Sequence, residues 1–469
     1  MSTYAESPDT QRDPYALTAD EIREPPRTWR ASLRFFGPGL IVSASVVGSG
    51  ELIATTALGA EAGFAILWLI IVSTFVKVAV QIELARWTIS TGQPVMTGCN
   101  KVAPRIGRIG WITVLWLIMA VAKLIQLGGV IGATATACSI LAPVGGDPLG
   151  TTSLAVWTVA LAAATIVLLY SNHYSLIERG AAALVAIFVV ITVVIAAGLP
   201  FTPFAYGTSD VLSGLSFGIP PGVVGVAIAA FGITGIGSDE IIAYQYWCLE
   251  KGYARWTGPA DGSDARTKRA NGWIRVMYRD ALLSWVVYTL ATLAFFVMGA
   301  AVLHPQGLVP EGNGMLTTLS RMYTDTLGNW AGVLFLIGAI AVLGSTLWAS
   351  LPSWARVWTN TLALLGVLDW TDQRARTRWL RIFTVALPIT WSAAYLLLSE
   401  PVVMVQVGGI SGALFLVGVV VAVWYLRNTE TDPRLRGSRA FNAALVISSA
   451  AIGLLGVYTL LTTVGVEFG

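Results

Sequence analysis

VGSGELIA, residues 47–54, and IGSDEIIA, residues 236–243, are two versions of one octapeptide 189 positions apart. Five of the eight positions are identical: Gly48 with Gly237, Ser49 with Ser238, Glu51 with Glu240, Ile53 with Ile242 and Ala54 with Ala243. Each copy sits midway along a long apolar segment. A carboxylate there is costly and glycine weakens a helix. Either copy alone reads equally well as a glycine packing surface. Both together, at matching places, point to a shared site.

The surroundings are those of a membrane. Of 469 residues, 55% are hydrophobic and 12% charged, with a mean hydropathy of +0.71. A water-soluble chain carries about 25% charged residues, so this one lacks the polar material to cover a soluble body. A crossing helix needs about 20 apolar residues. Eleven stretches qualify, giving an all-α polytopic chain: 33–60, 63–86, 111–139, 153–171, 180–199, 222–249, 280–303, 329–355, 378–398, 401–426 and 440–463.

Basic residues support that count. With the N-terminus inside, the loops returning to the cytoplasm hold Lys101, Arg105 and Arg108, then Arg179, then Lys251 to Arg279, then Arg374, Arg376 and Arg378, then Arg427 to Arg439. The opposite loops are nearly free of them, Arg321 excepted. Short cytoplasmic loops carry this excess. The expectation is a multi-pass protein of the inner (plasma) membrane with its C-terminus outside. Residues 1–30 are polar, without the apolar core of a signal peptide, and are expected to form a disordered cytoplasmic tail.

Segments one and six, which carry the octapeptides, are corresponding members of two five-helix halves. Five crossings per half give the halves opposite orientations. The expected division is 31–200 for the first inverted repeat, 201–426 for the second, and 427–469 for helix eleven and the C-terminus. Glycine-interrupted helices at matching positions of inverted repeats mark a transporter's binding site. Helices 1 and 6 are therefore expected to unwind, with Gly48, Ser49, Gly50 and Glu51 facing Gly237, Ser238, Asp239 and Glu240. Unwound backbone is tolerated at that depth only inside protein or along a polar cavity.

Other residues are ranked around this site. Lys77 and Lys123 lie near the middle of helices two and three, with Gln126 one turn on. Intramembrane lysines normally pair with acids, and these three residues are candidates for charge balance or coupling, a lysine ammonium taking the place of a coupling cation or exchanging a proton. A structural pair of Lys77 with Glu83 is an equal alternative. Tyr244, Tyr246 and Trp247 follow the second octapeptide and read as packing, or as walls for an ammonium. Glu83 with Arg86 reads as a local helix pair, Asp280 as an acid at the start of helix seven, and His173 and His304 as interfacial. Gly344, Ser345 and Thr346 are placed to interrupt helix eight and rank third as candidates for an ion site. Cys99, Cys138 and Cys248 show no paired spacing.

Four stretches resemble the Nramp family of proton-coupled divalent-metal transporters, which have a LeuT-type fold. FGPGLIVSASVVGSGELIATTALGAEAGFAILW (36–68) is similar to that family's first helix and turn, and NHYSLIERGAAALVAIFVV (172–190) to the junction of helices four and five. YRDALLSWVVYTLATLAFFVMGAAVLH (278–304) resembles helix seven, and VMVQVGGISGALF (403–415) helix ten, with Gln406 at the family's glutamine. The resemblance implies the LeuT-type fold, symport and metal-ion transport. The substrate motifs differ. The family's Asp-Pro-Gly-Asn is Gly48 to Glu51 here, its Met-Pro-His is absent from GIGSDEIIAYQ, and its acidic third helix reads MAVAKLIQLGG.

Carboxylates with hydroxyls and carbonyls suit a hard cation such as Mg²⁺ or Mn²⁺, so Glu51, Asp239 and Glu240 are the candidate metal ligands. Two lysines beside three acids would instead favour a proton, a monovalent ion or an organic amine. The leading expectation is a secondary-active transporter of a small cationic solute, with a non-transporting sensor ranked below. No GxxxxGK[ST] loop, nucleophile–base set or basic nucleic-acid surface is evident, so no ATP use, enzymatic activity, cofactor or nucleic-acid partner is expected.

Overall fold

The computed structural model describes residues 13–170, 174–220 and 222–463, leaving His173 outside. Among these, ten helical stretches are long and apolar enough to cross a membrane. The first, 38–91, has 54 residues and would reach about 80 Å as one rod, against ~30 Å of hydrocarbon. It is divided by a 3₁₀ turn, Gly63–Ile66, entered through Gly63 at φ +59°. Glu51 before the turn and Lys77 after it both reach Thr234 and Gly235 or their neighbours, so the chain doubles back between them. Two crossings in place of that one stretch would make the count the expected eleven, against ten by length and composition among the described residues.

We label them in chain order. Helix α1 covers 38–62, α2 is Leu67–Thr91, α3 Trp111–Leu141, α4 Thr151–Tyr170 and α5 Tyr174–Gly198. Helix α6 is split into α6a, Val224–Ile233, and α6b, Ser238–Lys251. Then follow α7 (Asp264–Met298), α8 (Ala331–Leu364), α9 (Gln373–Leu398), α10 (Pro401–Thr429) and α11 (Arg439–Thr463). Helix α3 packs among α8, α9 and α10, while α1 lies between α7 and α8.

The two octapeptides fold differently. In α6 the helix opens, as expected: Thr234 to Gly237 are non-helical, with Gly235 at φ +70°. In α1 it does not unwind. Pro38–Val46 is α-helical, Val47–Thr55 widens into a π-helix, and Thr56–Ala62 resumes the α form. Helix α8 explains the difference. The Ser345 and Thr346 hydroxyls donate to Ala44 O (3.1 Å) and Ser45 O (2.8 Å), the carbonyls where α passes into π. A backbone supplied with donors from a neighbour can change its winding without breaking. Gly344, Ser345 and Thr346 consequently do not interrupt α8, which is continuous.

Glycine sets the tightest contacts. A Cβ on Gly232 of α6a would lie 1.8 Å from Gly409 O of α10, and one on Gly409 2.3 Å from Ala229 O. The two backbones therefore meet with no side chain between them.

The N-terminal segment corrects the expected disordered tail. Residues 1–12 lie outside the described residues, but from Asp13 onward the chain is laid across the arginine-rich end of the bundle. Asp13 pairs with Arg376 of α9 at 2.7 Å, and the Tyr15 hydroxyl donates to Glu250 of α6b at 2.9 Å. Tyr15 meets the Trp370 ring edge-on at 5.0 Å. Leu17 covers Gly92 after α2, Arg23 N–H donates to Trp256 O (3.1 Å), and Trp273 Nε1 of α7 donates to Arg23 O (3.0 Å).

Asp280 also has a different place. Helix α7 starts at Asp264, so Asp280 lies well inside it. Its carboxylate accepts from Gly37 N (3.0 Å) and Gly39 N (2.7 Å), capping the start of α1 instead.

Candidate functional site

The break in α6 leaves backbone groups that no helix satisfies, and side chains of α1 and α2 supply partners. Glu51 is fully buried. Its Oε1 accepts the Gly235 N–H at 2.9 Å and its Oε2 accepts the Thr55 hydroxyl at 2.8 Å. Thr55 Oγ1 also lies 2.9 Å from Thr234 Oγ1, so α1 is bound to the amide side of the break. On the carbonyl side, Lys77 Nζ donates to Phe231 O and, at 2.7 Å, to Thr234 O. Ser73, one turn before Lys77, donates to the same two oxygens.

The second charged group lies at the start of α6b. Lys123 of α3 is buried and its ammonium stands 2.7 Å from Asp239 Oδ1, an ion pair off hydrogen-bond alignment. Asp239 Oδ1 and Glu240 Oε2 converge above Gly237, where a Cβ would lie 3.1 and 2.3 Å from them. Glu240 Oε2 has no hydrogen-bond partner among the described residues. Both acids line a narrow cleft with Ile41, Val42 and Ser45 of α1, Ala243 and Trp247 of α6b, and Ser350, Ser353 and Trp354 of α8. The free space is about 10 Å³, room for about one water. Ser45 and Ser350 hydroxyls meet at 3.1 Å beside it, and Trp247 Nε1 donates to Ser353 Oγ at 2.9 Å.

The candidates therefore separate into groups. Lys77, Lys123, Glu51, Asp239 and Glu240 all reach the region of the α6 break. The three acids do not form one ligand set: among the described residues no three His, Cys, Asp or Glu side chains converge as metal ligands. Glu51 is committed to the break, and Asp239 with Glu240 face the cleft. Gly48 and Gly50 are packing positions. A Cβ on Gly48 would lie 1.9 Å from Thr346 Oγ1, and one on Gly50 3.1 Å from Ile233 O. The Ser49 side chain lies outside the described residues. The Ser238 hydroxyl turns to Met119 Sδ of α3 at 3.4 Å.

Tyr244 is tied to α7 by its hydroxyl, which donates to Asp280 Oδ2 at 3.1 Å, and Tyr246 donates to Asn360 Oδ1 at 2.8 Å. Gln126 packs on Gly408 of α10, and Gln406 is half-buried and does not line the cleft. Glu83 pairs with Arg86 (3.0 Å) as expected and also with Arg427 of α10 (2.6 Å), so it is not the partner of Lys77. The cleft residues the sequence did not single out, Ser45, Ser350, Ser353 and Trp354, are ordinary residues in apolar helices. Thr55 carried a faint signal as the first hydroxyl one turn beyond Glu51.

A membrane bundle with helix six broken at a buried charged site has the architecture of the LeuT-type fold. A solved structure of the Eremococcus coleocola manganese transporter, in a point-mutant form, superposes with a TM-score of 0.64, covering 97% of this chain and 93% of that one at 14% identity. Mhp1, a nucleobase-cation-symport-1 family transporter, superposes at 0.54, covering 91% and 90% at 14% identity. Both comparisons speak for the fold alone. In sequence, residues 39–462 match the family model described as Nramp, natural resistance-associated macrophage protein-like. The chain belongs to the Nramp family. The divalent metal cation transporter MntH of Granulibacter bethesdensis is 25% identical over 326 residues, covering 67% of this chain and 65% of that protein.

Proposed function

We propose that the protein is a secondary-active transporter that moves a hard divalent metal cation by alternating access. The observation that carries this reading is the Glu240 carboxylate, whose Oε2 is held without a hydrogen-bond partner among the described residues at a cleft rimmed by serine hydroxyls. The cation class follows from the family and from the substrates of the manganese and divalent-cation transporters it resembles. Oxygen donors of this kind suit Mn²⁺ or Mg²⁺. A cleft with room for about one water has to widen to pass an ion with its retained waters, which fits a closed stage of a cycle.

The chain sits in the plasma membrane with the N-terminus and arginine-rich loops inside and the C-terminus outside. Residues 31–200 and 201–426 form inverted repeats, and 427–469 add helix eleven. The coupling ion is the proton, and neither ATP nor nucleic acid takes part.

One observation favours a second reading. Asp239 and Glu240 contribute −2 and Lys123 +1, so the cleft carries a formal −1. That charge suits a monovalent ion or an organic amine better than a bare divalent metal.

Proteoliposome uptake of Mn²⁺ and Mg²⁺ by native protein beside Glu240→Gln decides between them. Metal uptake lost in the variant supports the divalent reading. Absence of uptake by folded native protein, with amine uptake present, replaces it by the second.

A further inference from the structure

We propose that the break in α6 is a monovalent-cation site whose occupant is covalently built in, the Lys77 ammonium. Helix α6a ends at Ile233, and the partly negative end of its dipole is directed at the break. Phe231 O and Thr234 O, the oxygens there, are turned on one point: Lys77 Nζ donates to both, the second at 2.7 Å. Ser73 Oγ reaches the same oxygens at 3.3 and 3.2 Å, and the Phe231 ring centroid lies 4.9 Å from Nζ. Neutral carbonyls with a hydroxyl and an aromatic face are the surroundings in which proteins hold weakly hydrated monovalent cations.

A buried lysine kept only for packing would be replaced at less cost by an apolar residue, since a buried ammonium loses its hydration. Among the described residues no acid stands within ion-pair distance of Lys77. Glu83 is paired with Arg86 and Arg427, Asp239 with Lys123, Glu51 holds Gly235 N and Thr55, and Glu240 faces the cleft. What Lys77 does satisfy is the carbonyl side of the break, while Glu51 satisfies its amide side. Helix six is thus held open by a cation and an anion from the first two helices. The transport cycle then needs no free sodium or potassium at this point. That consequence rests on the transporter reading, whereas the site itself does not.

The test reads binding to the purified full-length protein, independent of any substrate. Thermal unfolding of native protein and Lys77→Ala is followed against Na⁺, K⁺, ammonium and methylammonium, with N-methylglucamine holding ionic strength constant. The expected result is a saturable rise of roughly 3 °C or more in Lys77→Ala with at least one small cation, and a flat response in native protein. A folded variant flat in every cation, or an equal rise in both proteins, overturns the proposal. Where the variant does not survive purification in N-methylglucamine, its recovery in a small cation is the same positive result. Equal loss in every buffer, for Lys77→Ala and Lys77→Ser alike, is the negative one. Metal uptake can fail without changing any of these outcomes.

Discussion

Lys123 of α3 and Asp239 of α6b stand 2.7 Å apart, with the lysine side chain fully buried and the aspartate 11% exposed. Breaking such a pair leaves a charge with no partner, typically at a cost of about 3–5 kcal/mol. Lys123→Met is therefore expected to lower the unfolding temperature sharply. Asp239→Asn added to it should recover much of the loss, because neither site then holds an uncompensated charge. A double-mutant cycle in detergent or nanodiscs measures the coupling.

Glu51 and Glu240 share an octapeptide position but should fail differently. Glu240→Gln removes the charge that faces the cleft and should abolish uptake with little change in stability. Glu51→Gln disturbs a carboxylate that holds Gly235 N–H and the Thr55 hydroxyl, so it should cost about 1–3 kcal/mol as well. Parallel unfolding and uptake measurements separate the two, and equal stability losses would contradict the assignment.

Gly232→Ala drives a methyl to 1.8 Å from the Gly409 carbonyl oxygen and should leave no monodisperse protein on size exclusion. Gly453→Ala in α11 meets nothing within 4 Å and should be neutral or stabilise by up to about 1 kcal/mol.

The connection between α10 and α11 gives a pH-dependent prediction. Asp432 is held below the usual carboxylate range by hydrogen bonds from the Arg434 side chain and then from its backbone N–H. A depressed carboxylate lends its stability above the unfolded pKa, near 3.9, and loses it as pH falls through the lower folded value. Hydrogen exchange across 432–436, corrected for intrinsic rates, should stay protected at pH 5 and loosen on approach to pH 3. Asp432→Asn should show the loosened pattern at both.

The helices were legible because apolar length and loop charge are summed over many residues. The expected 111–139 and 401–426 appear as Trp111–Leu141 and Pro401–Thr429. The break in α6 was legible from the repeated octapeptide, with Gly237 beside two acids. The winding of α1 was not, since it depends on the Ser345 and Thr346 hydroxyls, 301 residues from the carbonyls they reach. The roles of the lysines depend in the same way on helix packing. The ordered segment after Asp13 was hidden by its average polarity: a few residues, Tyr15, Leu17 and Ile22 among them, make its apolar contacts.

That segment bridges the ends of α2, α6b, α7 and α9, the same end of the bundle that the cleft approaches. Helices stitched together at one mouth cannot splay there until the stitch slips, so in the proposed alternating-access cycle the segment would act as a brake on opening. Removing residues 1–27 should speed exchange between facing states and leave the affinity of the cleft unchanged. Faster turnover at unaltered half-saturation in uptake assays is the expected sign; a changed half-saturation with unchanged turnover would place the segment's effect in the cleft itself.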